Sequence, residues 1–147
     1  MSAVDEIGAV VDAAYRFLGF AAGDQPRWQQ FGALFTPTAV LALRVFPDDE
    51  AISVMNLHDY AEAQMRHGLR DLGYTETPGD RTVDVVGAVA VVRQDFTMDF
   101  PHRPAARAVD VFSLAAIDHE WRIIAVVSDV SAPRAVTTGR SATGGDS

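Results

Sequence analysis

The chain has 147 residues, 48% of them apolar, which suits one globular domain with a buried core. Its formal net charge of −8 leaves no basic face for a phosphate backbone, so no nucleic-acid partner is expected. Cysteine is absent and all twelve basic residues are arginine, which removes disulfides, thiolate chemistry and Schiff bases on lysine. Neither a secretory leader nor an apolar run of about eighteen residues is present, so a cytoplasmic protein with no membrane partner is expected.

Ser2 opens the chain as a helix cap, and Ile7, Val11, Ala14, Tyr15 and Leu18 then recur at helical spacing toward Gly23. Asp24 and Pro26 start a second, short helix. Its apolar face is Trp28, Phe31, Leu34 and Phe35, and Thr36-Pro37 ends it. Ala39–Phe46 is a nearly unbroken apolar run, the pattern of a strand covered on both sides, with Arg44 its only charge. Pro47-Asp48-Asp49-Glu50 reads as a solvated acidic turn, since three consecutive carboxylates cannot converge on one cation.

Ile52–Met55 forms a short strand, and Asn56 caps a third helix that runs to Leu72 and stops at Gly73. Its inner stripe includes Tyr60, Gln64 and Met65. His58 and His67 are nine apart on this helix, the wrong spacing for a shared metal, so neither a metal nor a cofactor is expected. Thr75–Asp80 reads as a loop, Thr82–Val86 as a strand, Gly87 as a turn and Ala88–Phe100 as a long strand. Residues 1–132 form the domain, and the Gly/Ser/Thr-rich residues 133–147 are expected to be a disordered tail.

The most informative stretch is Arg107–Val130, where two β-branched and aromatic runs flank Asp118-His119, a hairpin with a two-residue loop. Pairing Ile117 with Glu120 sets Leu114 opposite Ile123, Phe112 opposite Ala125 and Asp110 opposite Val127. One face then carries Asp110, Phe112, Leu114, Trp121, Ile123 and Asp129. The other, with Val109, Val111, Ile117, Ile124 and Val126, is too apolar to be left in water, which predicts a homodimer through this outer face.

Helix, helix, strand, strand, helix and then four strands make an α+β fold, with three helices from the N-terminal half on one face of a curved antiparallel (mixed) sheet. The chain resembles the nuclear transport factor 2-like superfamily of cone-shaped proteins. The likeness rests on the first helix with its tyrosine and Gly23-Asp24, on Leu-Phe-Thr-Pro ending at Pro37, and on Asp110-Val-Phe-Ser-Leu114 followed by Ile117-Asp-His-Glu-Trp121. It covers roughly residues 4–130 and is strongest to the SnoaL-like and lumazine-binding-like branches. Two positions depart from it: His119 stands where members commonly have glycine, and Leu43 stands where the ketosteroid isomerases of this fold carry their base carboxylate.

The resemblance places Tyr15 and Asp110 where those isomerases hold an enolate oxygen between a phenol and a protonated carboxyl. The hairpin register adds Asp129, diagonal from Asp110 at about 7–8 Å, with a raised pKa expected for at least one of the two. On this reading Asp110 donates and Asp129 accepts; the alternative leaves Asp129 hydrated at the rim. An acid–arginine–acid set with Arg44 and Arg107 is a weaker option, because Arg107 has the wrong parity.

Trp28, Phe31, Tyr60, Phe112 and Trp121 are expected to line an apolar ligand pocket. Two functions follow. One is an acid/base isomerase or cyclase acting on a small carbonyl compound, polyketide- or steroid-like. The other is a non-catalytic dimeric ligand-binding or assembly module. An open pocket of at least ~300 Å³ holding both Tyr15 and Asp110 favours ligand use; a filled cone, with Trp121 and Phe112 packed against Trp28, favours the second.

Overall fold

A computed structural model describes residues 1–132; the tail expected over 133–147 lies outside the described residues. Helix α1 spans Ala3–Leu18, and the Ser2 hydroxyl accepts from the Asp5 N–H at 3.1 Å, satisfying one of the orphan donors of its first turn. Its buried stripe includes Ile7, Val11, Ala14, Tyr15 and Leu18, as the spacing predicts. Helix α2 is only Trp28–Gly32 and β1 already begins at Phe35, so the second helix ends earlier than its apolar face suggests. The sheet claims the chain there: the Ile123 N–H donates to the Leu34 carbonyl at 2.9 Å.

After β1 (Phe35–Leu43) come β2 (Ser53–Met55), α3 (Leu57–Gln64) and α4 (Leu69–Leu72). The predicted third helix is thus broken. His67 (φ 61°) and Gly68 (φ 70°) take left-handed conformations that no helix tolerates. Tertiary contacts hold this break, with the His67 ring 5.0 Å from that of Phe46 and the Arg66 guanidinium 2.9 Å from the Asp49 carboxylate. The acidic turn is therefore occupied in folding: Asp49 also accepts from the Phe46 N–H, and Arg103 holds the Asp48 carboxyl below its usual range.

Strands β3 (Thr75–Val86), β4 (Val89–Asp99), β5 (Ala106–Ile117) and β6 (Glu120–Ala132) complete a six-stranded sheet ordered β2-β1-β6-β5-β4-β3. Among the described residues only the β1–β6 pair is parallel. The segment expected as a loop, Thr75–Asp80, is the start of β3. Pro78 is accommodated because the register with β4 shifts between Pro78 and Arg81, a bulge where a missing ladder donor is harmless. The buried Gln94 amide braces it by donating to the carbonyls of Gly79 and Asp80.

The β5–β6 turn is the two-residue loop expected, with Asp118 at φ 52° and His119 at φ 69°, both left-handed as a type I′ turn requires. Pairing follows the predicted register from Ile117–Glu120 to Leu114–Ile123 and then slips by one, because Ser113 faces Ala125 and Ile124 is left without a partner. Asp110 consequently faces Ser128 rather than Val127. Val126 turns inward and is buried, while Val127 is 55% exposed, the reverse of the simple alternation.

The concave face of the sheet, with Val92, Ala108, Phe112, Leu114 and Ile123, closes on α1 and α2 to form the core. Its outer face leaves Val91, Val111, Ile124 and Val127 exposed. No helix among the described residues is long and apolar enough to cross a membrane.

Candidate functional site

Between α1, α3 and the concave face lies a cavity of about 50 Å³, lined by apolar side chains such as Phe31, Phe96 and Met98 together with Tyr15, Tyr60, Gln64, Glu76, Asp110 and Ser128. Phe31, Tyr60 and Phe112 line it as expected; Trp28 and Trp121 do not. Trp28 instead packs edge-on against Phe31 and Tyr60 from behind, and Trp121 lies toward the hairpin end opposite Ala116. Its volume is below the ~300 Å³ typical of drug-sized sites, which restricts an occupant to something near one ring in size unless side chains move.

The Tyr15 hydroxyl donates to Asp110 Oδ2 at 2.7 Å, a bond between α1 and β5 across 95 positions of sequence. Tyr15 is framed by Phe96 and Phe112, with ring centroids at 5.6 and 6.2 Å. Burial, reinforced by the Asp110 charge, pushes its phenol far above the ordinary value, so it stays protonated. Asp110 is 8% exposed, and burial raises its carboxyl from 3.8 to about 6 against the opposing pull of the Tyr15 and Ser128 hydroxyls.

Asp129 is not beside Asp110. The one-residue slip in β6 puts it opposite the outer-face residue Val109, and its carboxylate accepts from Arg44 Nε at 3.0 Å. Both side chains are partly exposed and reach the cavity only at its edge, while Arg44 is further tied to the Asp49 carbonyl at 2.7 Å. Ser128 takes the inward position that the simple alternation gave to Asp129. Leu43 lines the cavity as an apolar wall, and Arg107 borders an outer-face groove, in keeping with its parity.

Apart from Asp129 at its edge, the carboxyl that shares the cavity with Asp110 is Glu76, in a segment the sequence reads as a loop. It is half-buried near the start of β3, and the Tyr74 hydroxyl donates to its Oε2. Burial first, and the Asp110 charge second, push it from 4.5 up to about 8. The alternation of Tyr74 and Glu76 after Gly73 was the available signal. Pro78-Gly79 concealed it, because those residues read as turn.

At the α3 side of the cavity the Tyr60 hydroxyl donates to Gln64 Oε1 at 3.0 Å, and burial keeps that phenol protonated. Gln64 is 1% exposed and its Nε2 has no partner among the described residues. A buried donor left unpaired costs about 1–3 kcal/mol, which an acceptor on a bound molecule would recover. His58, Asp59 and Glu62 also bring ligand atoms within 4.8 Å of one another, but on the exposed face of α3, where such i, i+4 groupings are ordinary solvated pairs.

No protein-family model and no curated protein matches this chain in sequence. Its fold matches solved structures over most of the chain. An NTF2-like protein with a cystatin-like fold from Novosphingobium aromaticivorans shares 15% identity over 90% of this chain and 84% of its own, at a TM-score of 0.68. An NTF2-like protein provisionally assigned as a dehydratase, from Streptomyces avermitilis, shares 15% over 88% and 97%, at 0.65. A protein provisionally assigned as a calcium/calmodulin-dependent protein kinase II association domain, from Xanthomonas campestris, shares 19% over 90% of each chain, at 0.63. At such identities the likeness is one of fold: this chain has the NTF2-like, cystatin-like fold, a scaffold whose function must be argued from the site.

Proposed function

We propose that this chain is a cytoplasmic small-molecule-binding protein that holds a small, largely apolar carbonyl compound in the cavity and moves a proton on it, as an acid/base isomerase or cyclase of the SnoaL-like type. The observation that carries the reading is the buried Tyr15–Asp110 bond in an apolar cavity, with the carboxyl pushed up to about 6. A group so placed changes protonation near neutral pH, as a general acid or base must. The cavity volume of about 50 Å³ favours a one-ring compound over a polyketide- or steroid-sized one. The unpaired Gln64 amide supports a ligand bearing an acceptor oxygen.

The test is titration with para-fluorophenol followed by fluorine NMR, since a neutral phenol offers both the ring and the oxygen that this site suits. Saturable binding that Asp110→Asn weakens is the expected result. Absence of saturable binding to the unmodified protein refutes the reading.

A second reading, a dimeric ligand-binding or assembly module without catalysis, is favoured by the cavity volume of about 50 Å³, short of the ~300 Å³ that favours ligand use, and by the exposed outer-face valines Val91, Val111 and Val127. It predicts that phenol binding occurs without turnover of any carbonyl compound. The two readings share the homodimer through the outer sheet face, which remains part of the proposal.

A further inference from the structure

Building on the proposed carbonyl-binding cavity, we infer that Glu76 is its second acid/base group, with roles divided so that Glu76 donates a proton to the ligand's carbonyl oxygen and Asp110, as carboxylate, takes the proton from the adjacent carbon. Among the described residues three carboxyl groups reach this cavity, Glu76, Asp110 and Asp129. Asp129 is committed to Arg44, which leaves Asp110 and Glu76 as the pair that can exchange protons with a bound molecule.

Local hydrogen bonding orders that pair. The hydroxyls of Tyr15 and Ser128 both favour the charged form of Asp110, whereas Tyr74 alone donates to Glu76. Two like charges in one apolar cavity repel, so a single negative charge is shared and settles on the group with more hydroxyl donors, Asp110. Values of about 6 and about 8 agree with this order. The Tyr74 hydroxyl donates to Glu76 Oε2, which leaves Oε1 as the atom to carry the acidic proton.

Glu76 and Tyr15 line both the inner cavity and a groove on the outside that is bordered by Asp12, Arg16, Thr75 and Pro78. A carboxyl in that wall can recover its proton from solvent between turnovers. The charged groups that bear on it are Asp110 and Asp99 together with Asp12 and Arg16 along the outer groove; Arg81 is engaged by Asp12 and Gln94.

The step balances within the site. Asp110 removes the α-proton, the C–H electron pair becomes the enol C=C, and the carbonyl π pair takes the proton from Glu76. The negative charge passes from Asp110 to Glu76 and returns when the enol is reprotonated on carbon by Asp110.

Loss of the α-protons of cyclohexanone in D2O, followed by proton NMR across pH 5 to 9, tests the inference without requiring the natural substrate. The expected profile is a bell, rising as Asp110 ionises near pH 6 and falling as Glu76 ionises near pH 8. Glu76→Gln should lower the rate about 100-fold and remove the alkaline limb. Tyr74→Phe should shift that limb to higher pH, because it removes the donor that favours ionised Glu76. A rate no faster than buffer in the unmodified protein, or an alkaline limb unchanged in both variants, overturns the assignment. If para-fluorophenol still binds, the binding reading stands: an unchanged alkaline limb removes Glu76 alone, and a buffer-level rate removes proton transfer by Asp110 as well.

Discussion

Replacing Asp110 by asparagine should make this protein more stable at neutral pH and leave it nearly unchanged in acid. Folding raises the carboxyl from 3.8 to about 6, so the folded state holds that proton more tightly than the unfolded chain does. The sign follows directly. Below pH 4 both states are protonated and nothing is lost; between pH 4 and 6 the unfolded chain releases the proton first and stability falls; above pH 6 the full loss persists. A rise of about two pH units at ~1.4 kcal/mol each amounts to roughly 3 kcal/mol, a large share of the ~5–15 kcal/mol that holds a domain together.

Asparagine matches the neutral acid in shape and still accepts from Tyr15, whose hydroxyl, like that of Ser128, can rotate to suit it. It also removes the charge that raises Glu76, which relieves a second loss in the same direction. Urea unfolding at pH 4 and pH 7.5, read by the fluorescence of Trp28 and Trp121, gives the difference between variant and parent at each pH, and ionisations common to both cancel. The variant should gain at least about 3 kcal/mol on the parent between the two. A difference independent of pH would mean that Asp110 is not desolvated as described, and the acid/base reading would lose its basis.

Three further outcomes follow from the packing. His119→Gly should stabilise the protein by up to about 1 kcal/mol in the same assay, because φ 69° strains any residue with a Cβ; a loss would show that the histidine ring makes a compensating contact. Phe112→Ala removes a buried ring set edge-on to Tyr15 and should cost about 3–5 kcal/mol, with para-fluorophenol binding lost alongside; intact binding would take Phe112 out of the cavity wall. Val127→Asp, on the exposed outer face, should convert a dimer to a monomer in analytical ultracentrifugation with little change in monomer stability, and a parent protein that sediments as a monomer at micromolar concentration would remove that interface.

Local chemistry was legible in the sequence wherever it decided the outcome. The capped amphipathic helix with Tyr15 inward, the Asp118-His119 turn, and the parity that sends Asp110, Phe112 and Leu114 to one face all depend on contacts a few residues long, and the structure keeps each of them. The α+β order follows from the same signals.

What the tertiary structure alone decided is where that regular alternation is interrupted. A sheet curved over helices must bend its strands, and it does so at Ile124, where one unpaired residue turns Asp129 out to Arg44 and Ser128 in toward Asp110. The same kind of interruption after Pro78 keeps Thr75–Asp80 in a strand and brings Glu76 into the cavity. The bends answer to the curvature of the whole sheet, which no short window of sequence contains, and they settle which second carboxyl Asp110 meets.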